Sequence, residues 1–343
     1  MSAYMKKVKV EDAVGTVLAH DITRIIPGKT KEVGFKKGHI VKTGDIPELI
    51  RIGKQHLYIL DLPHYRLHED EAALRIAHAI SGPGLRRTEP REGKTTITSP
   101  HAGLVKINID GLLDINNLDD IIVSTLKTNF PCRAEQAIAA TRILPLTIAR
   151  DKIEKLEKVA GQHWPIISVL PFRRLRVGVV VTGSEIYNGL IEDGFDRFVG
   201  QKAVSYGCEL VNKIIVPDKT DEIAEAIQQM VSLNCELILV TGGLSVDPDD
   251  VTRQGVRQAG FKIDFYGSPV LPGAMFLHAH LREIPLLGLP ACVYYHPTTM
   301  FDLILPRILA GDIVTKKDIA VMGHGGLCMQ CEECRYPVCP FGR

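Results

Sequence analysis

Residues Glu236–Thr252 read ELILVTGGLSVDPDDVT, and their reading decides the fold. Leu237 to Val240 is a short apolar run of branched side chains flanked by breakers, the pattern of a strand buried on both faces of a parallel sheet. It ends in Thr241-Gly242-Gly243, followed by Leu244 and Ser245. Adjacent glycines have no Cβ, so the backbone can turn sharply and come close to a ligand. Asp247, Asp249 and Asp250 then precede a candidate helix. Carboxylates there either cap the helix N-terminus or hold a cation beside a bound phosphate. Ligands of open α/β sheets bind beyond the carboxyl ends of the strands, so the loop stands where a site belongs. A capped strand-to-helix turn without a ligand would give the same string, and a second copy is needed to tell the two apart.

That copy lies upstream. Arg176 to Val181, RVGVVV, is another buried-type strand, and Thr182-Gly183-Ser184-Glu185 follows it at once. Each loop offers backbone N–H groups, a hydroxyl and a carboxylate, which suits an anionic ligand with a divalent cation between phosphate and protein. Neither loop is a phosphate-binding Gly-Lys-Ser/Thr motif or a dinucleotide fingerprint. Around them, helices are expected over Phe198 to Tyr206, from Thr220 with Ile223, Ile227, Met230 and Val231 on one face, over Asp250 to Ala259, and over Thr298 to Leu309. Strands are expected at Leu210 to Val216 and at Leu286 to Pro290, and Pro269 to Gly273 is read as another strand end. Alternation of this kind predicts an α/β fold, a three-layer sandwich with a mostly parallel sheet.

The N-terminal part has a different grammar. Lys6 to Val10, Thr16 to Ala19 and His56 to Leu60 read as strands, with Gly28, Gly34, Gly38, Gly44 and Gly53 between them. Glu69 to Ser81 reads as a helix with acids in its first turn. Residues 85 to 150 read as strands, with Asn116-Asn117 as turn chemistry, and Asp151 to Ala160 as a connecting helix. The expected division is a β-rich region over 1–160, the α/β domain over 170–312 and a Cys-rich tail over 313–343.

Composition bounds the function. The 343 residues are 45% hydrophobic and 24% charged with net charge +1, so bulk binding to nucleic acid or acidic membranes is not expected. No apolar run reaches membrane-spanning length, and the first residues lack the apolar core of a signal peptide, which predicts a cytoplasmic protein. An isologous homodimer is the default assembly.

From about 176 to 300 the chain resembles the molybdopterin-binding domain of molybdenum-cofactor biosynthesis proteins. Thr182, Gly183 and Glu185 fit the family's first motif. Gly189, Asp193 and Gly207 follow in place, while Phe195 stands where the family has Asn. Gly242, Gly243, Ser245, Asp250 and Thr252 fit the second motif, and Pro272-Gly273 and Gly288-Leu289-Pro290 fit two later turns. More loosely, EDAVGTVLAHDIT and FKKGHIV resemble the opening of the molybdopterin molybdotransferases. The resemblance implies binding of molybdopterin or its adenylate, with Thr182, Gly183, Ser184, Thr241, Gly242, Gly243, Ser245, Pro272, Gly273, Gly288, Leu289 and Pro290 at the ligand. It implies that Glu185, Asp193 and Asp250 position Mg²⁺ or molybdate, and that molybdate is inserted with loss of AMP. Two alternatives stand beside it. One is a non-catalytic carrier or sensor delivering cofactor to a molybdoenzyme or another assembly protein. The other is a phosphate-ester or pyrophosphate hydrolase on the same domain. After Pro272-Gly273 come Ala274, Met275 and Phe276, without the lysines usual in the family.

The chain ends GHGGLCMQCEECRYPVCPFGR. Cys328, Cys331, Cys334 and Cys339 are separated by two, two and four residues, with Pro340 after the last. Bacterial ferredoxins have a similar run with three residues before the final Cys-Pro. Four thiolates also satisfy tetrahedral Zn²⁺. An iron–sulfur cluster, zinc and no metal are the readings left open.

Overall fold

A computed structural model describes residues 5–26, 30–60, 62–91, 93–245, 247–248 and 250–342. Gly28 and Asp249, both singled out above, lie outside the described residues. The chain divides into two compact units. One comprises Met1–Pro100, Lys106–Leu126 and Arg133–Val169, the other His101–Val105, Lys127–Cys132 and Leu170–Arg343.

In the first unit, Met5–Lys9, His56–Leu60 and Val17–Leu18 form a small antiparallel sheet. Its core is Val10, Leu18, Ile22, Val41, Leu49, Leu57 and Ile59, all buried. Further on, Ile121–Thr125, Ala137–Ile143, Lys94–Thr98 and Arg86–Arg87 form a four-stranded antiparallel sheet. The helix Glu69–Ile80 starts at His68, whose Nδ1 accepts the Asp70 N–H at 3.2 Å. It is joined to the helix Arg150–Gln162 by a two-pronged Arg75–Glu157 pair at 2.8 and 2.7 Å. One helix falls where strands and a turn were expected, over Ile109–Asn116. Its start is fixed by Asn108, whose Oδ1 accepts the Gly111 N–H at 3.0 Å, a standard use of Asn at this position. Asn116, at its end, binds both backbone groups of Val123 through its side-chain amide.

The second unit is built on a six-stranded sheet. In spatial order its strands are Glu209–Val216, Arg176–Thr182, Leu237–Thr241, Ile284–Leu289, Leu277–Leu281 and Lys262–Tyr266. The first four are parallel; Leu277–Leu281 runs opposite to them, and Lys262–Tyr266, antiparallel to Leu277–Leu281, runs with the first four. The sheet is therefore mixed. Arg282, at φ 55°, lies in the turn that folds Leu277–Leu281 back on Ile284–Leu289. Pro269–Gly273, read from sequence as a strand end, lies in the loop before this hairpin.

Alternation along the strands divides the core. Val177, Val179 and Val181 pack with Phe195, Val199, Met300, Phe301 and Ile304. Val180, Ile238 and Val240 pack with Ile223, Ile227, Met230 and Val256. The helices involved are Gln201–Ser205, continuing a wider turn over Asp196–Gly200, and Met300–Leu309 in the first group, with Thr220–Ser232 and Thr252–Gln258 in the second. Phe195 is fully buried in the first group, so a packing side chain occupies the position where the family has Asn. Residues 313–343 belong to the same compact unit as the sheet: Val314, Ile319 and Phe341 are part of its core.

Gly178, on the Arg176–Thr182 strand, lies under Met230: a Cβ there would meet its side chain at 2.7–2.8 Å. Gly178→Ala is expected to lower stability by about 1–3 kcal/mol through overpacking. In urea unfolding, the double variant Gly178→Ala/Met230→Ala should lose less than the sum of the two single losses.

Candidate functional site

The parallel pairing places Val181 beside Thr241, Thr182 beside Val216 and Thr241 beside Leu289. Four strand ends thus open on one side. The segments leaving them meet around a single cleft of about 1100 Å³. Thr182 to Glu185 come from one strand end, Asp218 from the next, Gly242 to Ser245 with Asp247 and Asp250 from the third, and Pro290 to Cys292 from the fourth. Leu271 to Met275 complete the lining.

The two glycine loops touch directly. Gly242 and Gly243 have φ of 88° and 57°, the left-handed region glycine favours. A Cβ on Gly242 would overlap the Thr182 carbonyl, and one on Gly243 would overlap the Thr252 hydroxyl. Thr252, fully buried at the start of its helix, donates from Oγ1 to the Gly242 carbonyl at 3.0 Å. Its Oγ1 also lies 3.2 Å from Thr182 Oγ1. Because the Thr252 proton is engaged with Gly242, Thr182 donates in that second bond. Leu244 is buried against Gly288, where a Cβ would leave it no room.

The loops differ in what they leave for a ligand. In the first, the Gly183 N–H goes to the Val216 carbonyl at 3.2 Å and the Ser184 N–H to Asp218 Oδ2 at 2.7 Å. The Asp218 N–H returns to Ser184 Oγ at 3.2 Å. In the second, the N–H groups of Gly243, Leu244 and Ser245 have no acceptor among the described residues. The second loop is therefore the better anion cradle, and the first contributes mainly carboxylate and hydroxyl. Among the described residues four carboxylates line the cleft: Glu185, Asp218, Asp247 and Asp250. Asp250 Oδ2 accepts the Asp247 N–H at 3.0 Å, which folds that turn. No Lys, Arg or His is among the described residues that line it.

Other sequence-predicted residues sit elsewhere. Asp193 does not line the cleft. It pairs with Lys213 Nζ at 2.7 Å and accepts the Phe195 N–H at 2.8 Å, so its carboxylate holds a strand to the turn over Asp196–Gly200. Thr241 is buried and accepts a hydrogen bond from the Tyr294 hydroxyl at 2.9 Å. Burial, with the Asp193 charge added, pushes Tyr294 up to about 12, so the phenol stays a donor. Gly288 packs under Leu244 and Leu289 is buried in the core, so neither lines the cleft, while Pro272, Gly273 and Pro290 reach it. Cys292 also reaches it, but burial pushes its thiol up, the opposite of what an activated nucleophile needs. His278 and His280 both bind Asp264 Oδ2 through Nδ1 at 2.8 Å and do not line the cleft.

Asp218 is the lining carboxylate that sequence reading missed. It follows Glu209–Val216, the strand beside Arg176–Thr182, and its place just past a parallel strand's carboxyl end was the available signal.

Residues 178–310 match the family described as "Probable molybdopterin binding domain". Residues 7–61 match a family described as a domain of unknown function. A protein of Oceanobacillus iheyensis, named as competence-damage inducible, is 31% identical over 80 residues, 23% of this chain and 19% of its own length. A CinA-like protein of Amoebophilus asiaticus is 26% identical over 156 residues, 46% of this chain and 35% of its own. The chain thus spans about a fifth to a third of the length of these relatives. Among solved structures, the molybdopterin biosynthesis enzyme MoaB of Thermus thermophilus is 18% identical, with a TM-score of 0.35 over 40% of this chain and 98% of that one. Residues 178–310 of this chain form a molybdopterin-binding domain of the molybdenum-cofactor biosynthesis family.

Proposed function

We propose that the cleft binds molybdopterin or its adenylate by its anionic tail, and that the protein inserts molybdate into the dithiolene with release of AMP. One observation carries the reading: both glycine loops and their carboxylates face the same cleft. One wall is polar, made of the two loops. The other, Leu271 to Met275 with Pro290 to Cys292, is largely apolar. That division suits a flat ring with a charged tail.

Carboxylate oxygens fit Mg²⁺, which is held by one or two carboxylates together with phosphate oxygens. Asp250, with Glu185 and Asp218 at the facing loop, would hold it, and its chemistry there is to neutralise phosphate charge. The chain's own part is positional. The N–H groups of Gly243 to Ser245, without acceptors among the described residues, would orient a phosphate. Thr182, Thr252 and Gly242 fix the distance between the loops.

A second reading, a carrier that binds the cofactor without turnover, is supported by the lack of any Lys, Arg or His among the described residues lining the cleft to hold free molybdate. The assay is AMP release from adenylated molybdopterin with molybdate and Mg²⁺. Molybdate-dependent release supports insertion, tight binding without release supports the carrier, and release without molybdate supports a hydrolase.

Asp250→Ala is expected to slow AMP release by about 100-fold while the molybdopterin Kd changes by about threefold or less, the signature of a group acting mainly in the transition state. Asp193→Asn should behave oppositely. It leaves Lys213 with Asp196 alone, so stability should fall by about 1–2 kcal/mol in denaturant unfolding with the Kd unchanged.

A further inference from the structure

The four cysteines of the tail stand apart from the cleft. Cys328, Cys331, Cys334 and Cys339 all line one small pocket of about 150 Å³, walled by Thr298, Tyr336 and Phe341 among others. We propose that this pocket is a tetrathiolate metal site: the four cysteines bind one soft metal centre, an iron–sulfur cluster or a zinc ion. The proposal is independent of the function assigned to the cleft.

The tail is a loop tied at its base. Leu271 donates its N–H to the Gly326 carbonyl at 2.7 Å, Cys328 donates to the Leu271 carbonyl at 2.8 Å, and Gly342 donates to the Gly325 carbonyl at 2.9 Å. Phe341 is buried in the core of the α/β unit, and the Tyr336 hydroxyl donates to the Asp302 carbonyl at 2.8 Å. Both ends and one wall of the loop are therefore fixed.

Between these contacts the loop has no regular element of its own. Residues 328–342 contain neither helix nor strand. The neighbouring apolar side chains do not make a local core, since Leu327 is 73%, Met329 70% and Val338 75% exposed. Loops of this length without secondary structure are uncommon in compact domains. Segments too small to bury a core are ordered by disulfides or metals. The cysteine spacing favours a metal. Three thiols two residues apart can face one centre, and the fourth, before Pro340, closes the set.

The wall supplies a supporting contact. Thr298 Oγ1, on a residue only 5% exposed, lies 3.0 Å from Cys334 Sγ. Beside a thiolate this hydroxyl becomes a hydrogen-bond donor to the ligand sulfur, the outer contact that orients metal ligands. Among the described residues no three of the thiols already converge at coordinating distance. Loading must then draw the loop inward over the fixed wall, which its lack of secondary structure permits.

The test uses the full chain, purified without oxygen or chelator, and measures iron, zinc and acid-labile sulfide per chain with the visible spectrum. About four iron and four sulfide with visible absorption, or about one zinc in a colourless protein, each supports the proposal and identifies the centre. Cys331→Ser and Cys334→Ser change exposed positions, and each should reduce bound metal at least tenfold, whereas Met329→Ala should retain it. Cobalt(II) titration of the metal-free protein is the second measurement, with intense thiolate-to-cobalt bands expected in the wild type and lost in both serine variants. Metal absent even after reconstitution with zinc or with iron and sulfide, metal retained in both serine variants, or recovery of the four cysteines as disulfides would overturn the proposal.

Discussion

The side-by-side pairing of Arg176–Thr182 with Leu237–Thr241 is the constraint on which the site depends. Parallel strands in register deliver their carboxyl ends to the same level, so Thr182 and Gly242 are neighbours before any loop conformation is chosen. The contact is then closed to the point where only glycine fits at 242. Thr252 adds one hydroxyl that holds the Gly242 carbonyl and receives the Thr182 hydroxyl. The distance between the two loops is thereby fixed by buried backbone and threonine contacts, which a ligand does not have to organise.

On this frame the loops divide the work. The first is largely closed internally, because the N–H groups of Gly183 and Ser184 are taken by Val216 and Asp218. The second keeps N–H groups without acceptors among the described residues. A cleft rich in carboxylates, and with no basic side chain among the described residues that line it, would repel a bare anion. In the proposed function a divalent cation would offset that repulsion, which would couple ligand binding to Mg²⁺.

Much of this was legible in the sequence because the signals were local. A branched apolar run ending in Thr-Gly-Gly or Thr-Gly-Ser-Glu gives strand and loop together, and the spacing of Gly242, Gly243 and Thr252 reflects a contact made within a few residues. What was not legible depended on partners distant in sequence. Asp218 belongs to the site through the strand next to Arg176–Thr182. Asp193 is drawn away from it by Lys213, twenty residues on. The antiparallel edge was hidden because the Leu281–Ile284 turn carries Arg282 and Glu283 in place of glycine or asparagine. The helix over Ile109–Asn116 was obscured by its Asn residues, which suggest turns but here cap the helix and bind a neighbouring strand.

The most direct measurement of a shared grip by two loops is amide hydrogen exchange with and without molybdopterin and Mg²⁺. The account predicts that the ligand slows exchange at Gly243, Leu244 and Ser245 and, in the same titration, in the segment around Glu185. Protection confined to one loop, or appearing only outside both, would contradict it.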